Sequence, residues 1–213
     1  MYQHLVPKLD ALKDQFPLLS RYVHGKKIVY LDSAATSQKP LAVLDAMDDY
    51  YRTINSNVHR GVYMIAEEAT NRMEIARALV RDFLGARSSS EIIFTKNATE
   101  SLNLLIMSWG RANLKAGDSV LLTHMEHHAN IVPWHMLVAE RGIQLRWVPL
   151  TNDGQLDLTQ LDTLLDGVKV FSFTSMSNVL GTINPVQRLC AAAHKAGALA
   201  FVDGCQSVPH QPT

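Results

Sequence analysis

An aspartate that closes an apolar run is a carboxylate in need of a positive partner. In Ala198-Leu199-Ala200-Phe201-Val202-Asp203, followed by Gly204-Cys205-Gln206-Ser207, the acid ends a stretch destined for burial, where an uncompensated charge is costly. A protonated heterocyclic nitrogen meets that need, as does an arginine, while a cap role would occupy the carboxylate with backbone amides. Three other segments carry comparable chemistry. In Thr95-Lys96-Asn97-Ala98-Thr99-Glu100-Ser101, Asn97 can cap a helix and Glu100 can reach back to complete a capping box. The unpaired amides of such a helix start, with the Thr99 hydroxyl, make a phosphate cradle, and the same pattern also suits a capped helix that binds nothing. His124-Met125-Glu126-His127-His128-Ala129-Asn130-Ile131-Val132-Pro133-Trp134 clusters His and Glu, but a metal site needs converging ligands, and no HExxH helix or cysteine partner accompanies them. Two readings stay open: histidines satisfied at a helix start, or an imidazole lying flat on an aromatic ring. Ser175-Met176-Ser177-Asn178-Val179-Leu180-Gly181 adds small hydroxyls and an amide at a turn of the chain.

These segments work together only if the fold gathers them. Short apolar runs at Ile92 to Thr95, Val120 to His124, Leu145 to Val148, Val168 to Thr174 and Leu199 to Val202 read as strands. Helical patterns lie between them at Ala98 to Trp109, Ile131 to Arg141, Leu158 to Leu165 and Pro185 to Lys195, with stops at Gly142 and Gly197 and a turn at Asn152-Asp153-Gly154. The expected fold class is α/β, a mostly parallel sheet flanked by helices. Right-handed crossovers then bring every strand's carboxyl end, and with it each chemical segment, to one edge where ligands bind. Upstream, Pro40 opens a helix with Leu44, Met47, Tyr51 and Ile54 on one face. A long second helix follows, with Ala66, Ala69, Met73, Ala76, Leu79 and Phe83 expected to face a core and Gly85 as its stop.

Composition narrows the function class. The 213 residues carry 20 Lys+Arg against 20 Asp+Glu, so there is no basic excess to neutralise nucleic acid or a lipid surface. With 47% hydrophobic residues the chain can build a sizeable core, and disorder is excluded. Two cysteines, Cys190 and Cys205, form no CxxC pair or disulfide framework and point to a reducing, cytoplasmic setting. The charged amino end and the lack of a long apolar stretch predict neither export nor a membrane span.

Asp32-Ser33-Ala34-Ala35-Thr36 with Lys39-Pro40, Asn57-Val58-His59-Arg60-Gly61, Lys96-Asn97-Ala98-Thr99-Glu100, Glu126-His127-His128-Ala129-Asn130-Ile131-Val132-Pro133-Trp134, Ser177-Asn178-Val179-Leu180-Gly181 and Val202-Asp203-Gly204-x-Gln206 resemble, in order and spacing, the Suf-type cysteine desulfurases. The resemblance implies a truncated large domain of the pyridoxal-phosphate-dependent transferases (fold type I, class V aminotransferases). It implies pyridoxal 5'-phosphate as cofactor, L-cysteine as substrate, L-alanine as product, and sulfur passed as an enzyme persulfide to an acceptor protein in iron–sulfur cluster assembly. On matching positions, Ala98 and Thr99 hold the phosphate, His127 stacks on the pyridine ring, Asp203 pairs with its nitrogen, and Asn178 and Gln206 fix its oxygen side. Ala35, His59 and Arg60 match substrate-side segments. Residues 1–90 would be a helical segment contributing to the site and to a homodimer interface, and 91–213 a partial cofactor-binding domain.

The same resemblance defines what is not found. The family's Ser-Gly-His-Lys segment, its persulfide cysteine and its carboxylate-gripping arginine have no counterpart here, so no residue of this chain is assigned a catalytic role and the chain alone is expected to be inactive. None of its lysines, Lys8, Lys13, Lys26, Lys27, Lys39, Lys96, Lys115, Lys169 and Lys195, stands in that context. Cys205, where the family more often has alanine, is read as a small packed filler. In that family the strand at Ile92 to Thr95 and the one at Asp203 each pair with strands that this sequence lacks, so raw sheet edges are expected. The alternatives are another class V enzyme, such as a selenocysteine lyase, aminotransferase or epimerase, and a noncatalytic binding module.

Overall fold

The computed structural model describes residues 11–211, which fall into two units, one ending at Ile92 and the other starting at Ile93. Lys8 lies outside the described residues.

In the first unit a small antiparallel pair, β1 (Tyr22–Val23) and β2 (Lys26–Lys27), precedes two helices, α1 (Leu41–Thr53) and α2 (Met64–Phe83). Pro40 stands just outside α1, where its missing N–H costs no helical bond. Gly85, at φ 65°, takes the left-handed turn that ends α2. Both helices form as their periodicity predicts, but the stripe of α2 does not face a core. Only Ala66 and Ala69 are buried along it, while Leu79 and Phe83 are 65% and 58% exposed. Periodicity reports which face favours burial; it does not supply the surface that covers it. On α1, Leu44, Met47 and Tyr51 are likewise exposed, and only the flanking Ile54 is buried.

The second unit is built on a parallel sheet of four strands, β3 (Ser119–Thr123), β4 (Gln144–Val148), β5 (Val168–Thr174) and β6 (Leu199–Asp203), in the order β4-β3-β5-β6. The expected fifth strand is absent: Ile92 to Thr95 belongs to no strand among the described residues, and the carbonyl of Ile92 instead accepts from Arg77. A strand needs a hydrogen-bonded neighbour as well as β-favouring residues, and here the edges of the sheet are β4 and β6. Alternation along the strands divides the core in two. Val120, Leu122 and Val170 pack with Trp134 and Leu137 on one face, and Leu121, Phe171 and Phe173 pack with Leu165 and Leu189 on the other.

The connecting helices are α3 (Ala98–Leu105), α4 (Val132–Arg141), α5 (Leu161–Leu165) and α6 (Val186–Lys195). The expected helix to Trp109 changes geometry on the way, with a π-helical turn over Ile106–Gly110 before a last turn at Arg111–Asn113. That turn seats Gly110 against Leu137, where an added Cβ would lie 2.7 Å from the leucine side chain. Gly142 and Gly197 end α4 and α6 at positive φ, as their positions in the sequence predict. α5 starts later than expected because Asp157 holds Thr159 in a turn, by its amide at 3.0 Å and its hydroxyl at 2.6 Å.

Candidate functional site

The carboxyl ends of β3, β5 and β6 lie side by side, and each is followed by one of the chemically loaded segments. Register pairs Thr174 of β5 with Asp203 of β6, and Ser175 is tied to the carbonyl of Asp203 by its amide and its hydroxyl, both at 2.9 Å. Ser175 and Ser207 share a hydroxyl contact of 2.5 Å, which holds the segment containing Gln206 against the end of β5.

Asp203 is 9% exposed. One oxygen accepts from the Cys205 amide at 2.9 Å, a local turn that restrains the carboxylate without neutralising it. Among the described residues no lysine, arginine or histidine forms an ion pair with it. A second acid stands nearby. Glu126 is buried, accepts from the Thr123 hydroxyl at 2.5 Å, the Thr174 amide at 2.9 Å and Nδ2 of Asn130 at 2.7 Å, and is pushed up to about 7 by burial, with the negative charge of Asp203 adding to the rise. The strand ends therefore present two hydrogen-bonded acids with no ion-pair partner among the described residues, an electrostatic setting that favours a positively charged group.

His127 follows Glu126. Its Nδ1 accepts from the Ala129 amide at 3.1 Å and its carbonyl from the Asn130 amide at 2.8 Å, so it caps the short turn His128–Asn130 while its side chain remains exposed. The histidines of this segment diverge: His124 lies 5.4 Å from the Trp147 ring, and the His127 and His128 rings are 6.1 Å apart and tilted. Among the described residues no group of three His, Cys, Asp or Glu side chains is arranged to hold a metal ion.

α3 packs on the turn after His127, with Leu102 and Ala129 in one core cluster. Oδ1 of Asn97 accepts from the Glu100 amide at 2.9 Å, as its cap position predicts. The return bond differs from the expected one: Glu100 accepts from the Lys96 amide at 2.6 Å, one residue before the cap. The amides of Ala98 and Thr99 belong to the first turn, where no intrahelical acceptor exists, and Thr99 is exposed. Asn178 is exposed on the loop after β5, which Ser177 organises by accepting from the Val179 and Leu180 amides at 3.2 and 3.0 Å. Gln206 is half-buried just beyond β6. Ala98, Thr99, His127, Asn178, Asp203 and Gln206 thus all belong to segments at this one edge.

Cys205 is exposed, not packed as expected, because the chain leaves the sheet at Gly204. Partial burial and the Asp203 charge raise its thiol above the ordinary cysteine range, so it is protonated at neutral pH and a poor nucleophile. In the first unit, Ala35 lies exposed in the turn where its amide and that of Thr36 donate to the Asp32 carbonyl. His59 has φ 64°, donates its amide to the Thr70 hydroxyl at 3.0 Å and faces Glu74 at 3.2 Å; Arg60 beside it is exposed.

Sequence reasoning missed the anchoring acid, Glu126, and its partner Asn130. The available signal was spacing: Glu126, Asn130 and Trp134 recur every four residues, and Oδ1 of Asn130 accepts from Nε1 of Trp134 at 3.1 Å and from the Ser172 hydroxyl at 2.7 Å.

Fold and site together define a parallel α/β protein with an anion-receptive helix start and an uncompensated buried acid at the same sheet edge. The class-V aminotransferase family pattern matches residues 29–213, and the chain belongs to that family. It is 50% identical over 203 residues to a cysteine desulfurase of Enterobacter sp. (strain 638), covering 95% of this chain and 50% of the relative. It is 48% identical over 200 residues to a probable cysteine desulfurase of Halalkalibacterium halodurans, covering 93% and 49%. Among solved structures, an apo cysteine desulfurase from Thermococcus onnurineus NA1 superimposes with a TM-score of 0.88 at 36% identity, covering 95% of this chain and 49% of that one. The cysteine desulfurase CsdA of Escherichia coli gives 0.82 at 35%, covering 96% and 50%. The chain spans about half the length of the curated relatives it matches. No helix among the described residues is long and apolar enough to cross a membrane.

Proposed function

We propose that this chain supplies the cofactor-holding part of a pyridoxal-phosphate-dependent cysteine desulfurase. The observation that carries the reading is Asp203, a buried carboxylate that accepts from the Cys205 amide and has no ion-pair partner among the described residues, at the sheet edge that also bears the α3 helix start and His127. The residues present suit the group. The first amides of α3, at Ala98 and Thr99, with the Thr99 hydroxyl, would take the phosphate, as helix N-termini do. Asp203 would hold a proton on the ring nitrogen, with His127 against the ring face and Asn178 and Gln206 toward its oxygen substituent. When bound, the ring supplies an electron sink for bond breaking at the Cα of the amino-acid substrate. Ala35, His59 and Arg60 would lie on the substrate side. The substrate is L-cysteine, an assignment that the names of the relatives support; by the motif resemblance alone, the sulfur goes to an acceptor protein, iron–sulfur cluster assembly in the cytoplasm is the setting, and the working state is a homodimer.

No residue of this chain is assigned the covalent lysine or the persulfide cysteine. The full chain mixed with pyridoxal phosphate should therefore bind it saturably and non-covalently, with the Asp203→Asn variant much weaker, and borohydride should trap no lysine adduct. Equal binding by wild type and Asp203→Asn would overturn the assignment of the acid, and a trapped lysine would overturn the absence of a covalent residue.

A further inference from the structure

Glu126 has no part in the assignments above, yet its hydrogen bonds join three separate pieces of chain. Oε1 accepts from the Thr123 hydroxyl at the end of β3 and from the Thr174 amide at the end of β5, and Oε2 accepts from Nδ2 of Asn130. The orientation of Asn130 is fixed independently. An indole N–H can only donate, so the oxygen of Asn130 must face Nε1 of Trp134, and Ser172 donates to the same oxygen. The amide nitrogen of Asn130 is then left to donate, and only an acceptor can meet it. Thr123 points the same way: its oxygen already accepts from the Met125 amide at 3.1 Å, so its proton goes to Glu126. A directional chain of donors ends on this carboxylate.

Glu126 and Asn130 bracket His127. Between these two buried residues the turn closes on itself through the Asn130 amide to the His127 carbonyl and the Ala129 amide to Nδ1. Because Nδ1 accepts, the proton of a neutral imidazole resides on Nε2.

We propose that Glu126 is a positioning residue for His127: by accepting from Asn130 on one side and from the ends of β3 and β5 on the other, it fixes the turn that holds the imidazole in its Nε2–H form. The importance of that positioning for a bound ring rests on the stacking role proposed for His127; the positioning itself does not.

Two variants separate the acceptor role from general packing. In Glu126→Gln the new amide nitrogen meets a donor either way, Nδ2 of Asn130 in one orientation and the Thr174 amide in the other, and turning Asn130 over would set its nitrogen against the Trp134 indole. In Glu126→Gln/Asn130→Asp the new carboxylate accepts from the new amide, from Trp134 and from Ser172, so the network is rebuilt with its charge moved along the chain. The imidazole nitrogen shifts of His127, measured on the full chain with labelled histidine and assigned with His127→Gln, provide a readout that needs no cofactor. Wild type should show Nδ1 as an acceptor and Nε2 protonated, Glu126→Gln should show both shifts drawn together by tautomer averaging, and the double variant should separate them again. Pyridoxine 5'-phosphate, which has the ring and phosphate but no aldehyde, should bind roughly tenfold more weakly to Glu126→Gln, the loss expected for about one misplaced contact, and recover in the double variant.

Wild-type shifts in Glu126→Gln, or averaged shifts in a folded double variant, would overturn the proposal. Should Glu126→Gln fail to fold, the double variant decides alone: wild-type shifts support the proposal and an unfolded or averaged form overturns it. If the shifts behave as expected while pyridoxine 5'-phosphate does not bind wild type, the positioning stands and the functional reading of the site falls.

Discussion

Thr174 stands between Glu126 and Asp203: its amide donates to Glu126 at 2.9 Å while its backbone pairs across the sheet with Asp203. The two acids are thereby held in fixed relation by the strand between them, and the charge of Asp203 adds to the rise that burial imposes on Glu126.

Removing the charge of Asp203 should weaken binding without harming the fold. Asp203→Asn can keep the turn bond to the Cys205 amide but cannot balance a cation. Losing a charged hydrogen bond costs about 1.5–3 kcal/mol, so the Kd for pyridoxal phosphate should rise roughly 10- to 100-fold. Fluorescence titration checks the affinity, and a urea melt should show stability equal to or above wild type, since the repulsion of Glu126 is relieved.

Stability should depend on the protonation of Glu126. Its folded-state value, about 7, is raised above the ordinary 4.5 by burial, so the folded protein holds this proton more tightly than the unfolded chain. The contribution is therefore fully present below about pH 4.5 and is lost as pH rises through about 7, a change of order 3 kcal/mol at most. Urea melts between these limits should show stability falling with rising pH, and a smaller slope in Glu126→Gln. An equal slope in the variant would assign the dependence to other groups.

Trp134 couples the core to the site. It is fully buried, and its indole fixes the orientation of Asn130. Trp134→Ala should cost about 3–5 kcal/mol through the cavity it leaves. Trp134→Phe should cost less, yet it frees Asn130 to turn over, so its effect on the His127 nitrogen shifts should exceed its effect on the urea midpoint.

Gly61 belongs to the Asn57-Val58-His59-Arg60-Gly61 segment, and a Cβ there would collide with the Cβ of Ala66 and meet the Tyr63 ring at 2.8 Å. The contact with Ala66 cannot be relieved by rotating a side chain. Gly61→Ala should destabilise by about 1–3 kcal/mol, read from the chemical denaturation midpoint.

Much of this edge was legible because it is local. Asn97 capping through the Glu100 amide, Gly142 and Gly197 ending their helices, and Asp203 closing an apolar run follow from short-range rules, and the parallel order of the strands then brings the segments together. The parts that were not legible depend on distant partners. Ile92 to Thr95 has strand-like residues but joins no sheet among the described residues, and the apolar stripe of α2 stays largely exposed. Glu126 was visible only as an acid beside histidines, since its bond to the Thr174 amide crosses 48 residues of sequence. Cys205 was misjudged because burial does not run on through the turn after Asp203: Ser207 is buried while Cys205 faces solvent.

Asp203 closes β6, the outermost strand of its sheet. The acid itself is buried, but Leu199 and Val202 of the same strand remain exposed, and water over them screens its pull on any positive group. A layer laid along that strand would dry the border and sharpen the attraction, so the strength with which this carboxylate grips a charged ring is governed by how well its own margin is shielded.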